Sequence, residues 1–124
     1  MSSTPESAAL ANHNGKLAEE IVQALLPGLV YVGADLDAEY MGRPLEIKSC
    51  QMVCQASDRG QRPGRFWFRG DQDQALKEED GYYALVVLDL GNACFFCLAE
   101  ARELLKDFSG AMTVSWRTIA RRVV

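Results

Sequence analysis

The segment Tyr82–Asp89 (YYALVVLD) constrains the fold more than any other part of the chain. It runs through seven consecutive apolar residues before Asp89, without polar alternation and with β-branched and aromatic residues throughout. Such a run reads as a strand buried on both faces. A turn at Gly91-Asn92 then leads into Ala93–Leu98 as its hairpin partner. A sheet whose central strand is covered on both sides needs layers above and below it, which points to an α/β fold with helices flanking a mixed sheet.

Neither this run nor Ala93–Ala99 approaches the roughly 20 apolar residues of a membrane span, so no membrane partner is expected. Residues 1–14 (MSSTPESAALANHN) hold no Lys or Arg and no long apolar stretch, which predicts a polar N-terminal tail rather than a secretory leader, and a cytoplasmic protein. Residues 15–124 then form one domain; a chain of 124 residues with 48% apolar residues can bury a core without disulfide or metal support.

Apolar positions at helical spacing predict a first helix over residues 15–26, stopped by Pro27-Gly28. Leu29–Val32 is a short strand, and Asp37–Met41 and Leu45–Ser49 are two strands joined by a tight turn. Residues 55–64 (QASDRGQRPG) are turn formers and charges, expected as an exposed loop. Arg65–Phe68 either extends a strand or starts the turn into a helix over Asp71–Glu79, which ends at Gly81; a further helix is expected over about 99–107, and Val114–Arg122 is left as a last helical turn or a strand. The order is αβββαββα, with a mixed sheet of four to five strands.

Net charge is -4, the wrong sign for a uniformly electropositive nucleic-acid binder. The charges are segregated, however. Arg59, Arg62, Arg65 and Arg69 occur between residues 59 and 70 with no acid among them, while residues 71–80 hold five acids and one Lys. The four arginines are candidate phosphate contacts. Trp67, between them, is the aromatic residue expected to be exposed, since Phe66 and Phe68 share the opposite face of the strand.

The informative hairpin is Asp35–Ser49. With the turn at Gly42-Arg43, or a loop over Met41–Pro44, Tyr40 faces Leu45, Glu39 faces Glu46 and Asp37 faces Lys48. Asp37, Glu39, Glu46 and Lys48 then share one face, and Ala38, Tyr40, Leu45 and Ile47 the other. Crowded carboxylates repel unless a hard divalent cation with oxygen ligands, Mg²⁺ or Mn²⁺, sits between them. A lysine beside them can orient or deprotonate an attacking water. The competing reading of the same pattern is a solvated amphipathic hairpin with cross-strand ion pairs.

These residues resemble the signature of the PD-(D/E)xK nuclease superfamily, the restriction-endonuclease-like fold that includes archaeal Holliday junction resolvases. Glu46-Ile47-Lys48 is similar to the ExK element, and Asp37 stands where the upstream aspartate is expected; Asp35 competes for that place, and neither follows a Pro. Gly15-Lys16-Leu17-Ala18-Glu19 resembles the first-helix GxxxE of the resolvase-like branch, and Phe66–Leu76 resembles the strand-to-helix segment that carries a Gln, here Gln72. The resemblance implies a restriction-endonuclease-like core and Mg²⁺-dependent hydrolysis of DNA, with Mn²⁺ as substitute. It implies Asp37 (or Asp35) and Glu46 as metal ligands, the Ile47 carbonyl as a backbone ligand, Lys48 positioning the attacking water, Glu19 acting through water, Gln72 orienting water or phosphate, and a homodimer on branched DNA. A non-catalytic nucleic-acid-binding or interaction module that keeps the same fold is the alternative.

Cys50, Cys54, Cys94 and Cys97 could in principle supply four thiolates to zinc or an iron-sulfur cluster. Cys94 and Cys97 bracket Phe-Phe in an apolar run, where an odd offset sends them to opposite faces of a strand, so buried inert thiols are expected. His13, the only histidine, falls in the expected tail, which leaves no support for a histidine-dependent triad.

Overall fold

The computed structural model describes the backbone of residues 5–32, 37–56 and 60–123, and the side chains of these apart from residues 5–12, 37, 55 and 56. The elements run α1 (Pro5–Leu25), β1 (Val30–Val32), β2 (Asp37–Tyr40), β3 (Arg43–Gln51), β4 (Val53–Ala56), β5 (Gly60–Pro63), β6 (Arg65–Arg69), α2 (Gly70–Glu78), β7 (Tyr82–Asp89), β8 (Asn92–Glu100), α3 (Ala101–Leu104), β9 (Ala111–Ser115) and α4 (Trp116–Val123). β1-β2-β3-β7-β8 form one five-stranded sheet, in that order. Its β3-β7 pair is parallel and its other neighbours are antiparallel, so the sheet is mixed, as expected.

β7 is the central strand that its composition demands. Its residues alternate between two cores. Tyr83, Leu85 and Val87 pack with Phe66, Phe68, Leu76, Leu104, Val114 and Ile119 on one face. Ala84, Val86 and Leu88 pack on the other with Ala18, Val22, Ala38 and Leu45. The first core lies under α2, the β6-β9 ribbon, α3 and α4, and the second under α1, whose Ala18 and Val22 lie one helical turn apart. This is the α/β layering expected of the sequence. No described helix is long and apolar enough to cross a membrane.

Four expectations are corrected. Residues 5–14, expected in the polar tail, are helical, so α1 begins at Pro5 rather than Gly15. The expected loop over 55–64 is mostly the β4-β5 hairpin, paired from Val53↔Pro63 to Ala56↔Gly60. The helix expected over 99–107 shrinks to α3, because β8 stays paired with β7 as far as Glu100. The β2-β3 turn is Met41-Gly42, both left-handed at φ 55° and 76°, so the register is Ala38↔Leu45, Glu39↔Pro44 and Tyr40↔Arg43. A two-residue turn with both positions at positive φ suits the twist of a hairpin. The pairing therefore slips by two residues from expectation, and because the side-chain period is also two, each residue keeps its face.

β6 reaches the sheet through a close backbone approach at Gly64. A Cβ there would lie 1.8 Å from the Gln51 carbonyl oxygen, so only glycine fits. The Gly64 amide donates to the Met52 carbonyl at 3.3 Å, and the Gly64 carbonyl accepts from the Trp116 amide at 3.1 Å. This contact holds the start of β6 and the start of α4 against the end of β3.

Candidate active site

Glu46 and Lys48 owe their direction to the parallel register of β3 and β7. Glu46 lies beside Tyr83 and Lys48 beside Leu85, so both belong to the face of the sheet that α2 and β6 cover. Beyond Leu45 the recorded pairing of β2 ends, and the register continued by one residue sets position 37 across from position 46. Asp37 lies at the start of β2, opposite Val32 of β1. Its backbone is thus brought beside the strand that carries Glu46 and Lys48; Asp35 and Arg59 lie outside the described residues, as does the side chain of Asp37.

A cleft of about 680 Å³ opens between this strand and α2, lined by Glu39, Glu46, Arg69, Asp71 and Gln72 together with apolar Val32, Ala38, Leu45 and Leu76. Gln72 enters it from the first turn of α2. Its Oε1 is buried and has no hydrogen-bond partner among the described residues. A buried acceptor without a donor costs about 1–3 kcal/mol, so this atom is a place where water, or a ligand donor, is needed. The Gln72 backbone N–H donates to Asp71 Oδ1 at 2.8 Å, and Asp71 Oδ1 also accepts from Arg69 Nε at 3.1 Å. These two bonds fix the junction of β6 with α2.

Lys48 is half-buried, with its ammonium 5.7 Å from the centre of the Trp67 ring. Burial lowers its pKa from the ordinary 10.5, Glu46 opposes the shift and Arg69 adds to it. A lysine with a depressed pKa between a carboxylate and a guanidinium is suited to exchanging a proton with water. Glu19 sits on the other side of β3: with Ala18, Glu46, Ile47 and Ser49 it lines a small cavity of about 110 Å³ under α1. Glu19 thereby reaches the neighbourhood of Glu46 from the opposite layer, and its carbonyl accepts from the Tyr31 hydroxyl at 2.7 Å.

The arginines divide. Arg65 and Arg69 lie on the outer face of β6, Arg65 donating to Thr113 Oγ1 at 2.8 Å and to the Thr113 carbonyl at 2.9 Å. Arg62 is exposed on β5. Trp67 is 52% exposed while Phe66 and Phe68 are fully buried, as strand alternation requires.

Behind the cleft lies a network that the sequence reading missed. The Tyr83 hydroxyl donates to Asp73 Oδ1 at 2.9 Å, and Lys77 Nζ pairs with Asp73 Oδ2 at 2.7 Å, with Asp107 at 2.9 Å and with the Leu105 carbonyl at 2.7 Å. Asp73 and Lys77 are spaced i,i+4 on α2, a pattern visible in the sequence; that it faces the core is not. The network pins α2, and with it Gln72, against the strand that carries Tyr83 beside Glu46.

Among the described residues no group of three or more His, Cys, Asp or Glu side chains could hold a metal ion alone. The donors that line the cleft still fit a hard cation: the Glu46 carboxylate and the Gln72 Oε1, which has no partner among the described residues, are oxygen donors, and Mg²⁺ needs only one or two carboxylates when water and substrate complete its shell.

The cysteine expectation is corrected at one position. Cys94 is exposed, the extra residue of a bulge between Leu88↔Ala93 and Val87↔Phe95. Cys50 and Cys97 are partly buried, and burial pushes their thiols up from 9.0 to about 12 and about 11. Burial, with Asp73 as hydrogen-bond acceptor, also raises the Tyr83 phenol well above 10.0. For each group the folded chain keeps its proton to higher pH than the unfolded chain does. The stability they contribute is therefore complete below pH 9.0 and is lost as pH rises, first through the thiols and then through the phenol. Urea midpoints measured in reductant should fall steadily from pH 8.5 to 11, and Cys50→Ala with Cys97→Ala should flatten that slope; an equally steep slope in the double variant would refute the assignment.

A sequence model of the PD-(D/E)XK nuclease superfamily domain matches residues 5–102. No curated protein and no solved structure matches the chain.

Proposed function

Because this chain belongs to the PD-(D/E)XK nuclease superfamily, we propose that it is a divalent-metal-dependent endonuclease that hydrolyses DNA phosphodiester bonds and selects its substrate by structure more than by sequence. The observation that carries this reading is the convergence of Glu46, Arg69 and the Oε1 of Gln72, which has no partner among the described residues, in one cleft, with Lys48 next to Glu46 on the same face.

Mg²⁺, or Mn²⁺ in its place, would be held by Glu46, by Asp37 across the hairpin and by the Ile47 carbonyl. When bound it supplies Lewis-acid polarisation of the phosphate. The chain's own groups do the rest. Lys48 orients the attacking water and, when protonated, offsets charge that develops on the phosphate oxygens. Gln72 Oε1 accepts a hydrogen bond from that water and so restricts its approach. Arg69, held toward the cleft by Asp71, receives the phosphate, and Arg62 and Arg65 extend the cationic path on β5 and β6. Glu19 reaches the carboxylate side through water from α1. Phosphate contacts of this kind position a substrate without reading its bases, which favours structure selectivity in so small a domain. A homodimer would set two such clefts on one branched substrate.

The test is incubation with branched, single-stranded and duplex DNA in Mg²⁺, in Mn²⁺ and in EDTA. Cutting with either metal and none in EDTA is the expected result. Cutting that survives full chelation would overturn the mechanism, and tight binding without cutting in either metal would make the chain a non-catalytic binding module.

A further inference from the structure

The outer face of β6 presents Arg65, Trp67 and Arg69 at successive same-face positions, each step about 7 Å along the strand. Trp67 is 52% exposed, and a single exposed aromatic residue needs no special explanation. Its surroundings do. Arg65 is fastened to Thr113, the cross-strand neighbour of Trp67, by two hydrogen bonds, so its guanidinium is held beside the ring. Lys48 approaches the ring from β3, and Arg69 lines the cleft that holds Glu46. In a chain of net charge -4, one lysine stands over this open indole, and arginines hold the same-face strand positions on either side of it. Asp71 offsets Arg69 in part.

A cationic margin around an aromatic plane suits a nucleotide, whose phosphates meet the cations while its base stacks on the ring. Base faces in continuous duplex are already occupied by their neighbours; only a single strand, an end or a branch point offers one. Resting on the nuclease reading above, we propose that Trp67 is the stacking platform for an unpaired DNA base next to the phosphate in the cleft, so that the substrates of this site carry unpaired nucleotides. The ring then sets register: it fixes which phosphate reaches Glu46 and Lys48.

The test uses the full chain in EDTA, so that no substrate is cut. A labelled 12-nucleotide thymidine strand and a relaxed, covalently closed circular duplex, which has neither ends nor loops, are titrated at equal nucleotide concentrations while tryptophan emission and binding are followed. The single strand should quench the wild-type emission and bind more tightly than the duplex. Trp67→Ala should lose the quenching and about 5- to 100-fold in single-strand affinity with an unchanged melting curve, and Trp67→Phe should recover most of that affinity. The proposal fails if Trp67→Ala binds the single strand like the wild type, or if duplex quenches and binds equally well. It also fails if Trp67→Ala alters self-association in light scattering and leaves DNA affinity untouched, which would assign the ring to a contact between copies. If the wild type cuts duplex with metal while Trp67→Ala changes nothing, the nuclease reading stands and stacking alone falls. If no DNA is bound or cut under any condition, both fall.

Discussion

Lys48→Met and Glu46→Gln are each expected to lower metal-dependent DNA cleavage by about 10²-fold or more, with little change in thermal stability. Both side chains are only partly buried and project into the cleft face, so their loss leaves no large void in either core. The two variants should differ in kind. Glu46→Gln removes a carboxylate and should weaken Mg²⁺ binding by calorimetry; Lys48→Met should leave that binding in place and act on the chemical step. Asp37→Asn should weaken Mg²⁺ binding more than Asp35→Asn, since the hairpin register carries position 37 toward position 46. The converse ranking would place the ligand two residues earlier. A Lys48→Met variant that cleaves at the wild-type rate would remove lysine from the mechanism.

Lys77→Met is expected to cost about 3–5 kcal/mol of stability, because it strands the Asp73 carboxylate in the core. The Asp73 side chain is 2% exposed and its counter-charge is Lys77 Nζ at 2.7 Å. After the substitution the carboxylate keeps only the Tyr83 hydroxyl among its recorded partners. A neutral amide needs no counter-charge, so Asp73→Asn combined with Lys77→Met should recover part of the loss. Equilibrium urea unfolding checks both. A loss below 1 kcal/mol for Lys77→Met would show that Asp73 protonates or rehydrates at little cost. Because α2 carries Gln72, the same variant should also loosen the cleft before the fold is lost.

Much of this architecture is legible in local pattern. The central strand follows from an unbroken apolar run, the exposure of Trp67 against Phe66 and Phe68 from strand alternation, and the shared face of Glu46 and Lys48 from a spacing of two. The order of elements around the ExK strand was legible in the same way. Where the reading failed, a nonlocal term decided. The turn at Met41-Gly42 requires a left-handed methionine, a conformation that an unbranched residue adopts at a cost and that propensity argues against. Cross-strand packing of Ala38 against Leu45 in the buried core outweighs that cost. Residues 53–56 and 60–63 flank and include turn formers and still pair, because β4 follows directly from a strand already anchored in the sheet and β5 returns through Gly64. β8 continues to Glu100, past the expected helix start, because β7 offers it ladder partners along its whole length.

The chemistry of the site divides along the same line. Residue types and their alternation along single strands determined which groups share a face: Glu46 with Lys48, and Arg65 with Trp67 and Arg69. Only the tertiary structure decided that these two sets meet. Lys48 stands over Trp67, and Gln72 brings an unsatisfied oxygen to the cleft of Glu46, because Gly64 lets the β6 backbone approach Gln51 and the Asp73–Lys77–Tyr83 network seats α2 on β7. Side-chain period is a property of one strand and can be read from it. The approach of two layers depends on which side chains are absent as well as present, and on polar groups whose partners lie tens of residues away.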